Sequence, residues 1–81
     1  MNDDIMLAIM VTLKDKAREK DVDMKMIIEE YLDWIRYSEN RYEKDYMNYR
    51  MMLETIQAYY VLKDKEEALR TINLFINNLM Q

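Results

Sequence analysis

The stretch that decides the fold is YEKDYMNYRMMLETIQAYY, residues 42–60, because its large apolar and aromatic side chains recur at helical spacing. Successive members of the series lie 4, 3, 4, 3 and 4 residues apart: Tyr42, Tyr46, Tyr49, Leu53, Ile56 and Tyr60. Such spacing lines up one face of a helix against a neighbouring helix. This series, named here the tyrosine seam, predicts a helix over about residues 41–62.

The segment after the seam predicts another helix, over about residues 65–80. Asp64 and Glu67 have the spacing of a capping pair, in which each side chain accepts a hydrogen bond from the other residue's backbone N–H. The apolar residues that follow recur on one face: Ala68, Leu69, Ile72, Phe75, Ile76 and Leu79. The two helices therefore meet at a short, capped corner.

The corner AYYVLKDKEEALRTI, residues 58–72, resembles the turn of a tetratricopeptide repeat. Ala58 and the two tyrosines after it match the end of the first helix of a repeat, while Asp64 and Ala68 match the turn and the second helix. The resemblance extends over about residues 45–78 and implies one closely packed helical hairpin. Because a solenoid needs about three stacked repeats, it implies no peptide-binding groove of the family's kind.

Two further helices are predicted upstream of the seam. Acidic residues near the start and cations near the end predict the first helix over about 3–20. Asp21 and Asp23 supply a break and a new cap, so the second helix is expected over about 23–37. Ser38-Glu39-Asn40 either separates this helix from the seam helix or lies inside one continuous helix. The fold class is thus all-α, a small bundle of three to four helices in a single domain, residues 1–81.

The composition excludes most catalytic chemistry. The chain contains no histidine, cysteine, glycine or proline, so it lacks the usual nucleophile–base pairs, an ordinary zinc site and a phosphate-binding loop. Glu30 and Asp33 have the Glu-x-x-Asp spacing with which all-helical phosphohydrolases of the MazG kind hold magnesium, but no matching upstream carboxylate motif accompanies them. We interpret these two residues and the neighbouring Glu29 as a solvated acidic face, and we predict a non-enzymatic protein with no catalytic residue, metal site or cofactor.

A second resemblance supports the alternative function. LKDKAREKDVDMKMIIEEYLDWI, residues 13–35, is similar to the two helices of ribbon-helix-helix DNA-binding proteins, which would make residues 5–11 a strand and the protein a dimeric nucleic-acid-binding regulator. A net charge of −4 disfavours contact with phosphates.

The tyrosine seam is interpreted as a core or dimer seam, with a protein-binding surface and a base-stacking platform as the alternatives.

Apolar surface in excess of one helical face predicts association. Residues 5–11 are apolar all round a helix, and the nine methionines suit irregular contact surfaces. We expect a homodimer that also binds an unidentified protein partner. The candidate interface consists of Ile5, Met6, Ile9, Met10, Trp34, Tyr37, Met47 and Met51.

The sequence also bears on location and role. Its first residues are acidic where a secretory signal is basic, and the apolar run is only seven residues long, so we expect a cytoplasmic protein with no membrane span. Isoleucine, lysine, asparagine and tyrosine, all with AT-rich codons, are abundant. This abundance fits a virus, a phage, a plasmid or many bacteria. We expect a small regulator or inhibitor from a virus, a phage or a mobile element, located in the host cytoplasm if viral.

Overall fold

A computed structural model describes residues 3–37 and 45–81. Within these residues the chain forms four α-helices and no strand: α1 (Asp3–Lys16), α2 (Met24–Tyr37), α3 (Tyr46–Val61) and α4 (Lys65–Leu79). The predicted all-helical fold is therefore confirmed. The main contacts join α1 to α2, α2 to α3, α3 to α4 and α4 back to α1.

The tyrosine seam forms the buried face of α3. Tyr49, Leu53 and Ile56 are buried, and Tyr46 and Tyr60 are partly buried against the same core. Tyr42 lies outside the described residues. The seam meets a single apolar cluster to which all four helices contribute, since Met10, Leu32 and Ile72 are fully buried with it.

Helices α2 and α3 run antiparallel. Gln57, near the end of α3, donates hydrogen bonds through Nε2 to the Glu29 carboxylate at 2.9 Å and to the Lys25 carbonyl at 3.3 Å, both near the start of α2. Helices α2 and α3 are therefore two separate helices that pack side by side, and the alternative of one continuous helix is wrong. The predicted break at Ser38-Glu39-Asn40, and the predicted start of α3 at residue 41, lie outside the described residues.

Helix α1 is shorter than predicted, which corrects its end from residue 20 to Lys16. The amides of Arg18 and Glu19 bond to carbonyls three residues back, at 3.3 Å and 3.0 Å, instead of four. This tightening ends the α-helix within the run of cations. As predicted, Asp23 caps the next helix: its Oδ1 accepts a hydrogen bond from the Met26 amide at 3.2 Å.

The corner between α3 and α4 is capped on both sides. Asp64 N–H donates to the Tyr59 carbonyl at 2.9 Å and Lys63 N–H to the Tyr60 carbonyl at 3.1 Å, the paired bonds of a Schellman motif. Asp64 Oδ1 then accepts from the Glu67 amide at 3.1 Å and starts α4. The predicted capping pair is half formed, because the Asp64 amide is engaged by Tyr59 and the Glu67 carboxylate bonds Arg70 instead, at 3.0 Å.

Both connections between described helices lie at the same end of the bundle. A cavity of about 360 Å³ is lined jointly by the α1–α2 connection, through Ala17 and Val22, and by the α3–α4 corner, through Tyr60 and Leu69. Among the described residues, no helix is long and apolar enough to span a membrane.

Candidate functional site

An open groove lies between α1 and α2 and is named here the α1–α2 groove. These helices share the smallest contact of the four neighbouring pairs, and the gap between them has a volume of about 860 Å³. The described residues that line it are Asp4, Ile5, Ala8, Ile9, Thr12, Lys16, Ile27, Glu30, Tyr31 and Trp34. Most of its wall is apolar, which suits a protein ligand better than a small polar one.

Helical spacing explains how α2 contributes to both the core and the groove. Its core stripe includes Ile28 and Leu32, which are fully buried. A second apolar stripe, Ile27, Tyr31 and Trp34, follows at intervals of 4 and 3 residues and is turned toward the groove. Because the two stripes are adjacent on the helix, α2 packs against the core with one and presents the other to solvent.

The sequence-predicted candidates on α1 divide between the core and the groove. Met6 and Met10 are fully buried in the chain's own core, and Ile9 is nearly so, at 6% exposure. Met6 and Met10 therefore belong to the core of the single chain, and their expected interface role stays a prediction. Ile9 forms the floor of the groove, and Ile5, 40% exposed, lies on its wall.

The candidates on the other helices are exposed but do not form one surface. Trp34, 43% exposed, lines the α1–α2 groove, and Tyr37 is exposed on the same helix. Met47 and Met51 are exposed on α3. Met51 lines a separate hollow of about 310 Å³ between α3 and α4, with Asn48, Met52, Thr55, Phe75 and Asn78. This hollow, with Met47 beside it, is named here the methionine face.

Charges in the α1–α2 groove are mostly negative and unpaired. Asp4 and Glu30 have no hydrogen-bond or ion-pair partner among residues 3–37 and 45–81. The ammonium group of Lys16, at the far end of the groove, lies 3.5 Å from a Glu19 carboxylate oxygen. The groove therefore combines an apolar floor with free carboxylates on its walls.

The acidic residues on the opposite flank of α2 form a paired network. Arg36 Nη1 lies 3.0 Å from Glu29 Oε1 and 3.5 Å from Asp33 Oδ1. Hydrogen bonds from Gln57 and Arg36 stabilise the ionised carboxylate of Glu29 and lower its pKa. Within the described ranges no group of three acidic residues is placed to hold a metal ion. Of the acids predicted to form a solvated face, Glu29 and Asp33 are paired with Arg36 while their side chains remain about half exposed.

The tyrosine seam belongs to the core over its described length. Tyr49, 3% exposed, donates a hydrogen bond through its hydroxyl to the Asp3 carboxylate and so ties the start of α3 to the start of α1. Burial, together with the Asp3 carboxylate, raises the pKa of the Tyr49 hydroxyl. Burial likewise raises the pKa of Tyr60. Tyr49 is therefore not available for base stacking in this conformation.

The two family resemblances fare differently. Residues 5–11, the strand required by the ribbon-helix-helix resemblance, lie within helix α1, so this resemblance does not extend to the fold. The tetratricopeptide-like corner has the expected caps, while membership of that family stays a prediction. No protein-family model, no curated protein and no solved structure matches the chain.

Sequence reasoning missed several groove residues, including Ala8, Thr12, Ile27 and Tyr31. For α2 the sequence does contain a pattern that could have identified the groove residues: Ile27, Tyr31 and Trp34 form a second helical stripe beside the core stripe. For α1 it was absent: a run that is apolar all round does not indicate which side faces a neighbour.

Proposed function

We propose that this chain is a non-enzymatic protein-interaction module, a small regulator that acts by binding a partner protein through the α1–α2 groove. The observation that carries the proposal is the partly exposed apolar wall formed by Ile5, Tyr31 and Trp34. Aromatic residues in a partly desolvated groove are typical anchors of protein interfaces. The abundance of residue types with AT-rich codons supports a virus, a phage or a mobile element as the source.

Site-specific crosslinking tests this proposal. A photoreactive phenylalanine analogue replaces Trp34, and in a control variant it replaces Asn77, an exposed residue of α4 outside the groove. In the source cell, we expect a discrete crosslinked protein from position 34 and none from position 77. The same crosslinked species from both positions, or none from either, would contradict the proposal.

We propose in addition that the chain forms a homodimer through the methionine face. Met51 is 60% exposed there, and the described residues that line the hollow carry no charge. A neutral patch can contact its own copy around a two-fold axis without charge repulsion, whereas two copies of the α1–α2 groove would bring free carboxylates together. The adaptable methionine side chains suit such a self-complementary contact.

Sedimentation over a dilution series tests the dimer. We expect the unsubstituted chain to be dimeric at micromolar concentration and Met51→Glu to be monomeric, because the substitution places two carboxylates in the contact. Met26→Glu is the matched control, since Met26 is equally exposed and lies outside both surfaces. A folded monomer at every concentration would contradict the dimer.

A further inference from the structure

We infer that the α1–α2 groove binds a basic amphipathic helix of the partner protein. This inference rests on the proposed function and specifies the chemistry of the partner. It follows from three properties of the groove: its shape, its apolar floor and the sign of its free charges.

The shape of the groove suits a helix. Its wall on α1 extends from Asp4 to Lys16, which is about 18 Å at the rise of an α-helix, or about three turns. Because α1 and α2 share little contact, a trough lined by both helices is left between them. A helix from the partner would lie in this trough as a fifth helix of the bundle.

The floor of the groove defines the face of the helix that binds. Ile9 lies at the bottom, Ile5 and Ala8 are on the α1 side, and Tyr31 and Trp34 are on the α2 side. An apolar stripe at positions i, i+3, i+4 and i+7 of the partner helix would bury itself against these side chains, as in other helix-in-groove complexes. A wholly polar helix would leave the aromatic wall exposed to water.

The charges of the groove select basic flanking residues. The carboxylates of Asp4 and Glu30 lack partners within the described part of the chain, and Lys16 is engaged with Glu19. Lysine or arginine residues beside the apolar stripe would pair with the two free carboxylates. The same carboxylates repel a second copy of this acidic chain, a phosphate backbone and an anionic lipid surface.

Tryptophan fluorescence provides the direct test, because Trp34 is the only tryptophan of the chain. The probes are two tryptophan-free helical peptides of about three to four turns with the same leucine stripe, one flanked by lysine and the other by glutamate. We expect the lysine peptide to give a saturable change in Trp34 emission that weakens with added salt, and the glutamate peptide to bind at least about tenfold more weakly.

Matched charge variants locate the effect. Asp4→Asn combined with Glu30→Gln should weaken binding of the lysine peptide by about three- to tenfold, as expected for two partly exposed ion pairs. Asp15→Asn combined with Glu66→Gln removes the same charge outside the groove and should leave binding unchanged. Equal weakening by both pairs would overturn the inference, as would equal binding of the two peptides or no binding of either.

The crosslinking experiment separates failure of this inference from failure of the proposed function. A crosslink from position 34 to a partner segment that is not a basic helix would overturn the inference and leave the protein-interaction module intact. Absence of any crosslink from position 34 would overturn both.

Discussion

Lys63 has a backbone conformation that glycine usually occupies. Its φ is 60°, in the left-handed region, where a Cβ atom lies too close to the following carbonyl oxygen. The position is the C′ residue of the Schellman motif that ends α3. The chain contains no glycine, so this corner retains a local strain that the paired bonds of Tyr59 and Tyr60 offset.

Replacement of this lysine should therefore stabilise the protein. We expect Lys63→Gly to raise the free energy of unfolding by about 0.5–1 kcal/mol, the relief of the left-handed strain less the greater chain entropy of glycine. Urea denaturation measures the change. Lys63→Ala, which removes the charge alone, should show no gain, and Lys65→Gly in α4 should destabilise; a gain in either control would contradict this explanation.

The Tyr49 hydroxyl makes stability sensitive to alkaline pH. Its pKa is raised because burial and Asp3 favour the neutral form. The contribution of the Tyr49 hydroxyl to the free energy of unfolding is therefore complete below the pKa of tyrosine in the unfolded chain, about 10, and is lost as the pH rises above that value. Tyr49→Phe should cost about 0.5–1.5 kcal/mol near neutral pH, by loss of the bond to Asp3, and should reduce the loss of stability in alkali.

Thermal unfolding across the alkaline range checks this expectation. The control is Tyr37→Phe, because Tyr37 is 80% exposed and should change neither the neutral stability nor the pH profile. An unchanged alkaline profile in Tyr49→Phe would refute the role of this hydroxyl.

At the scale of the helix, α2 has three different faces. One face packs in the core, and a second face lines the α1–α2 groove. The third face carries Glu29 and Arg36, which form a polar network with Gln57 of α3. Across the contact with α3, Glu54 extends this network, with an oxygen 2.6 Å from Arg50 Nε and 3.7 Å from Arg36 Nη2. Polar pairing therefore fixes α2 against α3, while the flank toward α1 stays open.

The polar network around Glu29 predicts that the stability of the fold decreases at acidic pH. Because the folded pKa of Glu29 is lowered, its contribution is present above the unfolded pKa and is lost as the pH falls through the folded value. Glu29→Gln should be less stable than the unsubstituted chain near neutral pH, with the difference disappearing as the Glu29 carboxylate of the folded chain becomes protonated. Urea denaturation at several pH values measures this.

Glu30→Gln provides the matched control for the network. Glu30 is adjacent in sequence but has no partner in the described structure, so its substitution should produce no such pH-dependent difference. If both glutamine variants gave the same profile, the network would not be the cause.

The sequence predicts the individual helices better than the spaces between them. Seam spacing predicts α3, and Asp23 and Asp64 predict two helix starts, because these signals act between neighbours in the chain. The end of α1 is less certain, since a run of cations favours termination without selecting a residue. The groove depends on the distance between α1 and α2, which packing of the whole bundle sets and no local pattern encodes.

At the scale of the whole molecule, one core is shared by four helices, so a single core truncation should affect all of them. Leu32 is fully buried, and Leu32→Ala should cost about 2–5 kcal/mol. The total stability expected for a domain of this size is about 4–12 kcal/mol. We expect the loss of helical circular dichroism to remain a single cooperative transition at lower urea concentration.

Trp34, two residues along the same helix, provides the contrasting substitution. Trp34→Ala should cost about 1 kcal/mol or less, because much of this side chain is already exposed, yet it should abolish binding in the groove. A large loss of stability from Trp34→Ala would instead make this tryptophan a core residue.

The arrangement of the connections has a practical consequence for protein engineering. Because Tyr49 bonds Asp3, and Asn48 and Asn78 line one hollow, the start of α1 and the end of α4 lie at the same end of the bundle, opposite the Lys63 corner. A short flexible linker could join these two ends, and the chain could be reopened at Lys63. Such a circular permutant would preserve the four described helices while relieving Lys63 of its left-handed constraint.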